Sequence, residues 1–218
     1  MPAASELACL MKTVPRAAIP RLLSSAQAFD YRPGDVVLEA GQQRSPALVV
    51  SGVLRIVIRS NDGRVATISY LGSGRIFGVP TLFGSLPVSV VAHKASTVIH
   101  FDAEEVARLA SDTAEFGWAL LKATSENAIV MPDAVAKFAF KTVQQRVADN
   151  LLWSSSLVPS HQGAPVARLT QQEIADAVGS VREVVARALR NLKSKGLIKL
   201  TPRGVVILDE VGLNKQSV

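Results

Sequence analysis

The stretch TQQEIADAVGSVREVVARALR, residues 170–190, predicts two helices joined by a tight turn. Thr170 and Glu173 have the spacing of a capping box, in which each side chain bonds the other residue's backbone amide at a helix start. Apolar residues at helical spacing continue to Val178, and Gly179 then allows the positive φ that a tight turn requires. This pattern is typical of a helix-turn-helix.

A second helix is predicted from Val181 to about Lys195, with Ser180 as its N-cap and Gly196 as the residue that ends it. On a helical wheel one side of this helix is apolar, and the other carries Arg182, Glu183, Arg187 and Arg190. An arginine can donate two hydrogen bonds to guanine, and a glutamate can accept one from cytosine. The polar side is therefore suited to DNA bases in the major groove.

A plainer interpretation is a solvent-exposed helix, in which Ser180 and Glu183 form a second capping box and Glu183 pairs with Arg187. What favours DNA is the segment that follows. The strand-like runs Leu197–Leu200 and Val205–Leu208 flank a turn and predict a wing beside the helix. Lys199 and Arg203 are expected to contact phosphates from this wing.

The distribution of charge also favours a nucleic-acid partner. Residues 1–140 carry 13 basic and 12 acidic side chains, whereas residues 141–218 carry 11 and 6. Positive charge clustered in one module favours a polyanion, because binding releases counterions from the phosphate backbone. No apolar run is long enough to span a membrane, and the single Cys9 cannot form an internal disulfide. We therefore expect a cytoplasmic protein.

Between about residues 28 and 102 short β-branched runs alternate with glycine, proline, aspartate and asparagine. Asp62-Gly63 between two such runs is a strong signal for a β-hairpin. Many short strands at this spacing predict a small barrel or jelly roll. The strand-like runs are Val36–Leu38, Leu48–Val50, Val53–Ile58, Val65–Tyr70, Val88–Ala92 and Thr97–Phe101.

The pattern becomes helical from about Ala103 to Ala139, with Asp102 as a predicted N-cap. Pro132 is expected to kink or break this stretch, because proline removes a backbone donor. A long helix beside a barrel favours packing against a second copy, and we expect a homodimer rather than packing on its own domain.

Together these segments resemble the Crp/Fnr family of bacterial regulators over almost the whole chain. The motifs that carry the resemblance lie in both halves: Tyr31–Asp35, Ser51–Arg55, Asp62–Arg64, Leu71–Gly78, Thr170–Ile174, Gly179, Arg182–Arg187, Leu189, Leu192 and Gly196–Ile198. The resemblance implies an α+β fold with three parts. These are a cyclic-nucleotide-binding-like jelly-roll (double-stranded β-helix) barrel with a short N-terminal helix over 1–107, a long dimerisation helix over 108–140 and a winged helix-turn-helix over 141–218.

The resemblance also implies roles for individual residues. Arg182, Glu183 and Arg187 match the family's base-reading positions, which implies a palindromic DNA site with TGTGA-like half-sites. Backbone contacts are implied for Thr170, Gln171 and Arg190, with Val181 standing where the family usually has a serine. Ser180 is the candidate to compensate. RNA polymerase is an expected partner if the protein activates transcription.

The barrel departs from the family pattern. Val79 and Val88 stand where the family has a glutamate for the ribose and an arginine for the cyclic phosphate, and Ser89 follows Val88. Met131 and Pro132 replace a Thr-Ser pair that contacts the base. The sequence therefore predicts a sensor pocket that has lost its cyclic-AMP contacts, with another effector or with none.

Two alternatives remain open at this point. One is a haem-, gas- or redox-sensing regulator, since a carbon-monoxide sensor of the family uses an N-terminal proline and this chain begins Met1-Pro2. The candidate ligands would be Cys9, His93, His100 and His161, although each histidine suits an ordinary strand-end or loop position. The other is a metal-dependent cupin-like enzyme, which a barrel can host, but the chain lacks the His-x-His core of such enzymes. The sequence predicts no catalytic residue, no metal site and no resident cofactor.

Overall fold

The computed structural model describes residues 12–42, 45–156 and 164–217. The described residues form two compact units. The first comprises those up to residue 58 and from 68 to 131, and the second comprises those from residue 132 onward with the hairpin segment 59–67. The expectations for Pro2, Cys9 and His161 lie outside the described residues.

The barrel strands form two sheets, each of four strands within the described part of the chain, ordered β1-β8-β3-β6 and β2-β7-β4-β5. These short strands enclose a core made largely of valine and leucine side chains, among them Leu54 and Val98. In chain order the strands are β1 Gln27–Tyr31, β2 Val36–Leu38, β3 Ala47–Ser51, β4 Val53–Arg59, β5 Val65–Gly72, β6 Ile76–Phe77, β7 Ser89–Ala92 and β8 Ser96–His100.

The predicted strand runs agree with β2, β3, β4, β5, β7 and β8 to within two residues at each end. The turn at Asp62-Gly63 is also present, with Gly63 at φ +82°. Sequence patterning missed β1 and β6. Most residues of β1 are exposed, and β1 is held by backbone pairing with β8, which leaves little apolar signal in its sequence.

A short helix precedes the barrel strands in the chain, and further helices directly follow them. A short 3-10 turn, Arg16–Ala18, leads into α1 Ile19–Ser25 ahead of β1, and α2 Ala103–Asp112 and α3 Ala114–Ile129 come after β8. Asp102 caps α2 as predicted, accepting a hydrogen bond of 2.8 Å from the Glu105 amide. These helices pack on the outside of the barrel in a second core that includes Leu22, Leu109 and Phe116.

The helical stretch is interrupted twice, at Thr113 and at Val130. Thr113 has an extended backbone between α2 and α3, which sequence patterning did not indicate. After Val130 the helix α4 runs Met131–Phe140, so Pro132 lies in its first turn. Proline is tolerated there because the amide it lacks would have no partner within the helix. Pro132 therefore lies in the first turn of a new helix.

The second unit contains α4, α5 Val143–Ser156 and the C-terminal elements. Its boundary near 131–132 differs from the predicted start at residue 141, since α4 packs within this unit. The C-terminal elements are β9 Val166–Ala167, α6 Gln171–Val178, α7 Arg182–Ser194, β10 Ile198–Thr201, β11 Gly204–Ile207 and α8 Glu210–Lys215.

The turn between α6 and α7 depends on Gly179, as predicted. Gly179 has φ +65°, and its amide bonds the carbonyl of Ala175. Gly196, which follows the C-cap of α7, is also left-handed at φ +73°. Residues other than glycine pay a steric penalty in this region.

Replacing Gly179 with alanine should cost about 1–2 kcal/mol from the left-handed backbone alone. The loss should be larger than this, because the added Cβ would lie 3.0 Å from Phe138 Cε1 and 3.1 Å from Ala66 Cβ. Gly196→Ala is the matched control, since a Cβ there meets no atom of the described chain within 4 Å. Urea unfolding should show the greater loss for Gly179→Ala, and equal losses would contradict the packing argument.

Candidate nucleic-acid interface and barrel cavity

The first helix of the turn begins with the predicted capping box. The Glu173 amide donates to Thr170 Oγ1 at 3.2 Å, and the Thr170 amide donates to Glu173 Oε2 at 2.7 Å. The Thr170 hydroxyl also donates to Glu173 Oε2 at 2.8 Å. A phosphate contact from the Thr170 hydroxyl would therefore require this hydrogen to leave Glu173. Gln171, the first residue of α6, is half-buried.

The second helix exposes the charged side that the sequence predicted. Arg182, Glu183, Arg187 and Arg190 are all exposed. Among the described residues none of these four side chains has an ion-pair partner within 4 Å, so the Glu183–Arg187 pair of the plainer interpretation is not formed. Unpaired guanidinium groups keep their donors available for a ligand.

The prediction that Ser180 is the N-cap of the second helix was wrong. The N-cap of α7 is Val181, with φ −108° and ψ 154° and no capping bond from a side chain, and Ser180 precedes it. The Ser180 amide instead bonds the Ala175 carbonyl at 3.0 Å, closing the end of α6. This use of the backbone shifts the start of α7 by one residue and removes the second capping box.

The opposite side of α7 is buried in the core of the second unit. Val185, Leu189 and Leu192 are at most 1% exposed and pack among residues of α5, α6, β10 and β11. Full burial of each such side chain contributes about 1.5–3 kcal/mol. This anchoring fixes which side of α7 meets solvent, while Val184 at the margin is half-buried.

The wing forms between β10 and β11, close to the predicted runs. The two strands pair antiparallel, with Thr201 opposite Gly204. Lys199 and Arg203 are exposed on it. A third strand, β9, pairs with β11, and sequence patterning missed β9 because it has only two residues.

Sequence analysis also missed Arg146, which holds the turn from the inside. Its Nε donates to the Val178 carbonyl at 2.9 Å, its Nη1 donates to the Lys141 carbonyl at 2.7 Å, and its guanidinium stacks 5.3 Å from the Phe138 ring centre. Partial burial lowers the pKa of Arg146 from its ordinary value. The bond to Val178 joins residues that are 32 positions apart, so no local pattern could indicate it.

The first unit contains a partly open cavity of about 300 Å³ beside the turn that follows β6. Of the five residues of the predicted pocket, Val79, Val88 and Met131 line it, whereas Ser89 and Pro132 are not among its described lining residues. Ser89 Oγ instead accepts from the Ala40 amide at 3.1 Å. The remaining lining residues are Leu38, Ile56, Phe77, Gly78, Pro80, Leu86, Val90, Thr124, Asn127 and Ala128.

The described histidines have partners outside this cavity. The ring of His100 lies 2.9 Å from the Tyr31 hydroxyl, and that of His93 meets the Tyr70 ring edge at 5.3 Å between centres. Over residues 12–42, 45–156 and 164–217, no three His, Cys, Asp or Glu side chains cluster in a way that could hold a metal ion. In the same ranges no helix is long and apolar enough to cross a membrane.

Two family models match the chain. The Crp-like helix-turn-helix domain matches residues 145–216, and the cyclic nucleotide-binding domain matches residues 28–113. The first match contains α6, α7 and the wing, and the second contains the barrel strands.

Similarity to known proteins extends over most of the chain. A "CRP-like cAMP-activated global transcriptional regulator" of Mycobacterium tuberculosis is 27% identical over 214 residues, which is 95% of this chain and 96% of the relative. A solved structure of a Crp/Fnr regulator from Eubacterium rectale has a TM-score of 0.82 at 23% identity and covers 95% of this chain and 97% of that one. The c-di-GMP responsive regulator CLP of Xanthomonas campestris has a TM-score of 0.78 at 24% identity, covering 88% and 99%.

These proteins are transcription regulators, so the comparisons do not support the cupin-like enzyme alternative. A sensor-type barrel and a Crp-like helix-turn-helix occur here in one chain, in the order found in those regulators. The chain therefore belongs to the Crp/Fnr family of DNA-binding transcription regulators.

Proposed function

We propose that this regulator binds a palindromic DNA site with TGTGA-like half-sites and reads it through Arg182, Glu183 and Arg187. The observation that carries the proposal is the exposed and unpaired charged side of α7, opposite a side that is fully anchored. Residues near the N-terminus of a recognition helix reach base edges, and these three lie in its first two turns.

Backbone contacts complete the proposed interface. Arg190, Lys199 and Arg203 are exposed and supply positive charge for phosphates. Thr170 and Gln171 lie at the N-terminal end of α6, where backbone amides suit an anion, and Ser180 immediately precedes the N-cap of α7. Binding to bacterial DNA is consistent with the cytoplasmic location expected from the sequence. An activator would also contact RNA polymerase, whereas a repressor would not need to.

Arg187→Ala should weaken binding to a TGTGA palindrome by about 1–3 kcal/mol and leave binding to unrelated DNA nearly unchanged, because a base contact is lost. Arg203→Ala is the control, and it should weaken both kinds of DNA alike and reduce the salt dependence. Fluorescence anisotropy at several salt concentrations measures both effects. An equal loss on both DNAs for Arg187→Ala would assign this residue to phosphate only.

We further propose that the protein is a homodimer joined through α3. Trp118, Leu121 and Ile129 are 70%, 53% and 72% exposed. At 100° per residue these side chains lie within about 80° of one another on the helix. Large apolar side chains on one exposed stripe favour association with another protein surface, and a two-fold dimer matches a palindromic site.

Leu121→Glu should convert the dimer to a monomer, because a charge would be buried without a partner in the interface. Val211→Glu on α8, where Val211 is 69% exposed, adds the same charge elsewhere and should leave the assembly unchanged. Light scattering after size exclusion measures the mass. A Leu121→Glu protein that remains dimeric would place the interface on another surface.

The barrel cavity supports a sensor that does not use cyclic AMP. Val79 and Val88 line it, and none of its described lining residues carries a charge. A cyclic phosphate placed there would be desolvated without a cation, at a cost of several kcal/mol. The lining also contains no histidine or cysteine among the described residues, so the proposal does not include haem at this place.

Calorimetric titration of this protein with cyclic AMP should show no binding in the low-micromolar range. The Mycobacterium tuberculosis relative, which is named as cAMP-activated, provides a positive control for the titration. Tight binding by both proteins would contradict the proposed loss of the cyclic-AMP contacts.

A further inference from the structure

The barrel cavity has one polar end, formed by Thr124 and Asn127 on α3. The Thr124 hydroxyl donates to the Leu120 carbonyl at 2.9 Å, so it can act only as an acceptor toward a ligand. Asn127 Nδ2 donates to the Ile76 carbonyl at 2.9 Å, and Asn127 Oδ1 accepts from Arg75 at 2.8 Å. The Asn127 amide is therefore fixed in orientation.

The charge that Arg75 brings behind this end is paired with a carboxylate. Arg75, which holds Asn127, also donates from Nη1 to Glu126 Oε2 at 2.8 Å, so its charge is compensated by a carboxylate. The described lining residues themselves are uncharged, and most are aliphatic or aromatic. Such a lining disfavours an anion and favours a neutral apolar molecule.

The volume gives a lower bound for the size of a ligand. At about 30 Å³ for each non-hydrogen atom, the share of one water molecule in the liquid, the cavity of about 300 Å³ has room for at least about ten such atoms. A medium-length aliphatic chain with a single polar group matches both the volume and the one polar end.

We propose that the barrel cavity binds a neutral, largely aliphatic molecule of this size whose hydroxyl group donates a hydrogen bond to Thr124 Oγ1. We propose further that this molecule is the effector of the regulator, a step that rests on the proposed function. The ligand would contact α3 from Thr124 to Ala128 and Met131, on both sides of the break at Val130. Binding thus acts on the segment where the helical stretch is interrupted.

The first test compares 1-octanol with octanoate by calorimetry on the full chain. 1-Octanol should bind at least tenfold more tightly, because octanoate brings an uncompensated charge and has no hydrogen to donate. Thr124→Val keeps the shape of the side chain and should weaken the binding of 1-octanol two- to tenfold, because the hydrogen-bond acceptor is lost. Equal binding of alcohol and carboxylate, or no binding of 1-octanol up to its solubility, would overturn the proposal.

A charge introduced into the cavity should reverse this preference. Val88→Arg places a cation beside the ligand, so octanoate should bind more tightly than 1-octanol. Val211→Arg adds the same charge to the exposed side of α8 and should leave the preference for the alcohol unchanged. Circular dichroism tests whether both variants are folded. If Val88→Arg does not fold, Thr124→Val still tests the site independently.

DNA binding separates the two parts of the proposal. A change in affinity for the palindrome on adding 1-octanol, abolished by Val88→Arg, supports the effector role. Binding of 1-octanol without such a change overturns the effector role and supports the cavity assignment. A chain that binds 1-octanol but no palindrome contradicts the proposed DNA site alone, and one that binds the palindrome but no 1-octanol contradicts this inference alone.

Discussion

The burial of one side of α7 is the interaction on which the functional surface depends. Val185, Leu189 and Leu192 are nearly inaccessible, and together they contribute several kcal/mol by removing apolar area from water. Because these side chains repeat at helical spacing, their burial fixes the rotation of the helix about its axis. The arginines on the other side are therefore held toward solvent without any polar contact of their own.

The turn before α7 is stabilised from both sides. Gly179 supplies a left-handed backbone, and Arg146 bonds the carbonyl of Val178 that the end of α6 would otherwise leave without a partner. The partly buried guanidinium of Arg146 lies between two backbone carbonyls and the Phe138 ring and uses its donors for structure, while Arg182 and Arg187 keep theirs for a ligand. The same residue type therefore serves two purposes within one unit.

The barrel shows a different relation between fold and chemistry. Its strands lie in the segment that matches the cyclic nucleotide-binding domain, whereas Val79 and Val88 make the cavity lining apolar at the two positions where the resemblance implies charged residues. The barrel can carry an apolar lining at this place, since Val79 is buried and Val88 is half-buried. Fold and ligand chemistry are separable, and only the lining residues determine what can bind.

Local features of this protein could be predicted from its sequence, since neighbours along the chain determine them. The capping box at Thr170, the turn at Gly179 and the two sides of α7 depend on hydrogen bonds and periodicity within a few residues. The predicted N-cap, Ser180, was wrong by one residue: the structure has Val181, because the Ser180 amide is used by the preceding helix. The strand β9, the role of Arg146 and the cavity arise only when segments distant in sequence pack together. A cavity is the space left between such segments, so the sequence could name residues that line it, but only the tertiary structure decided its size and its single polar end.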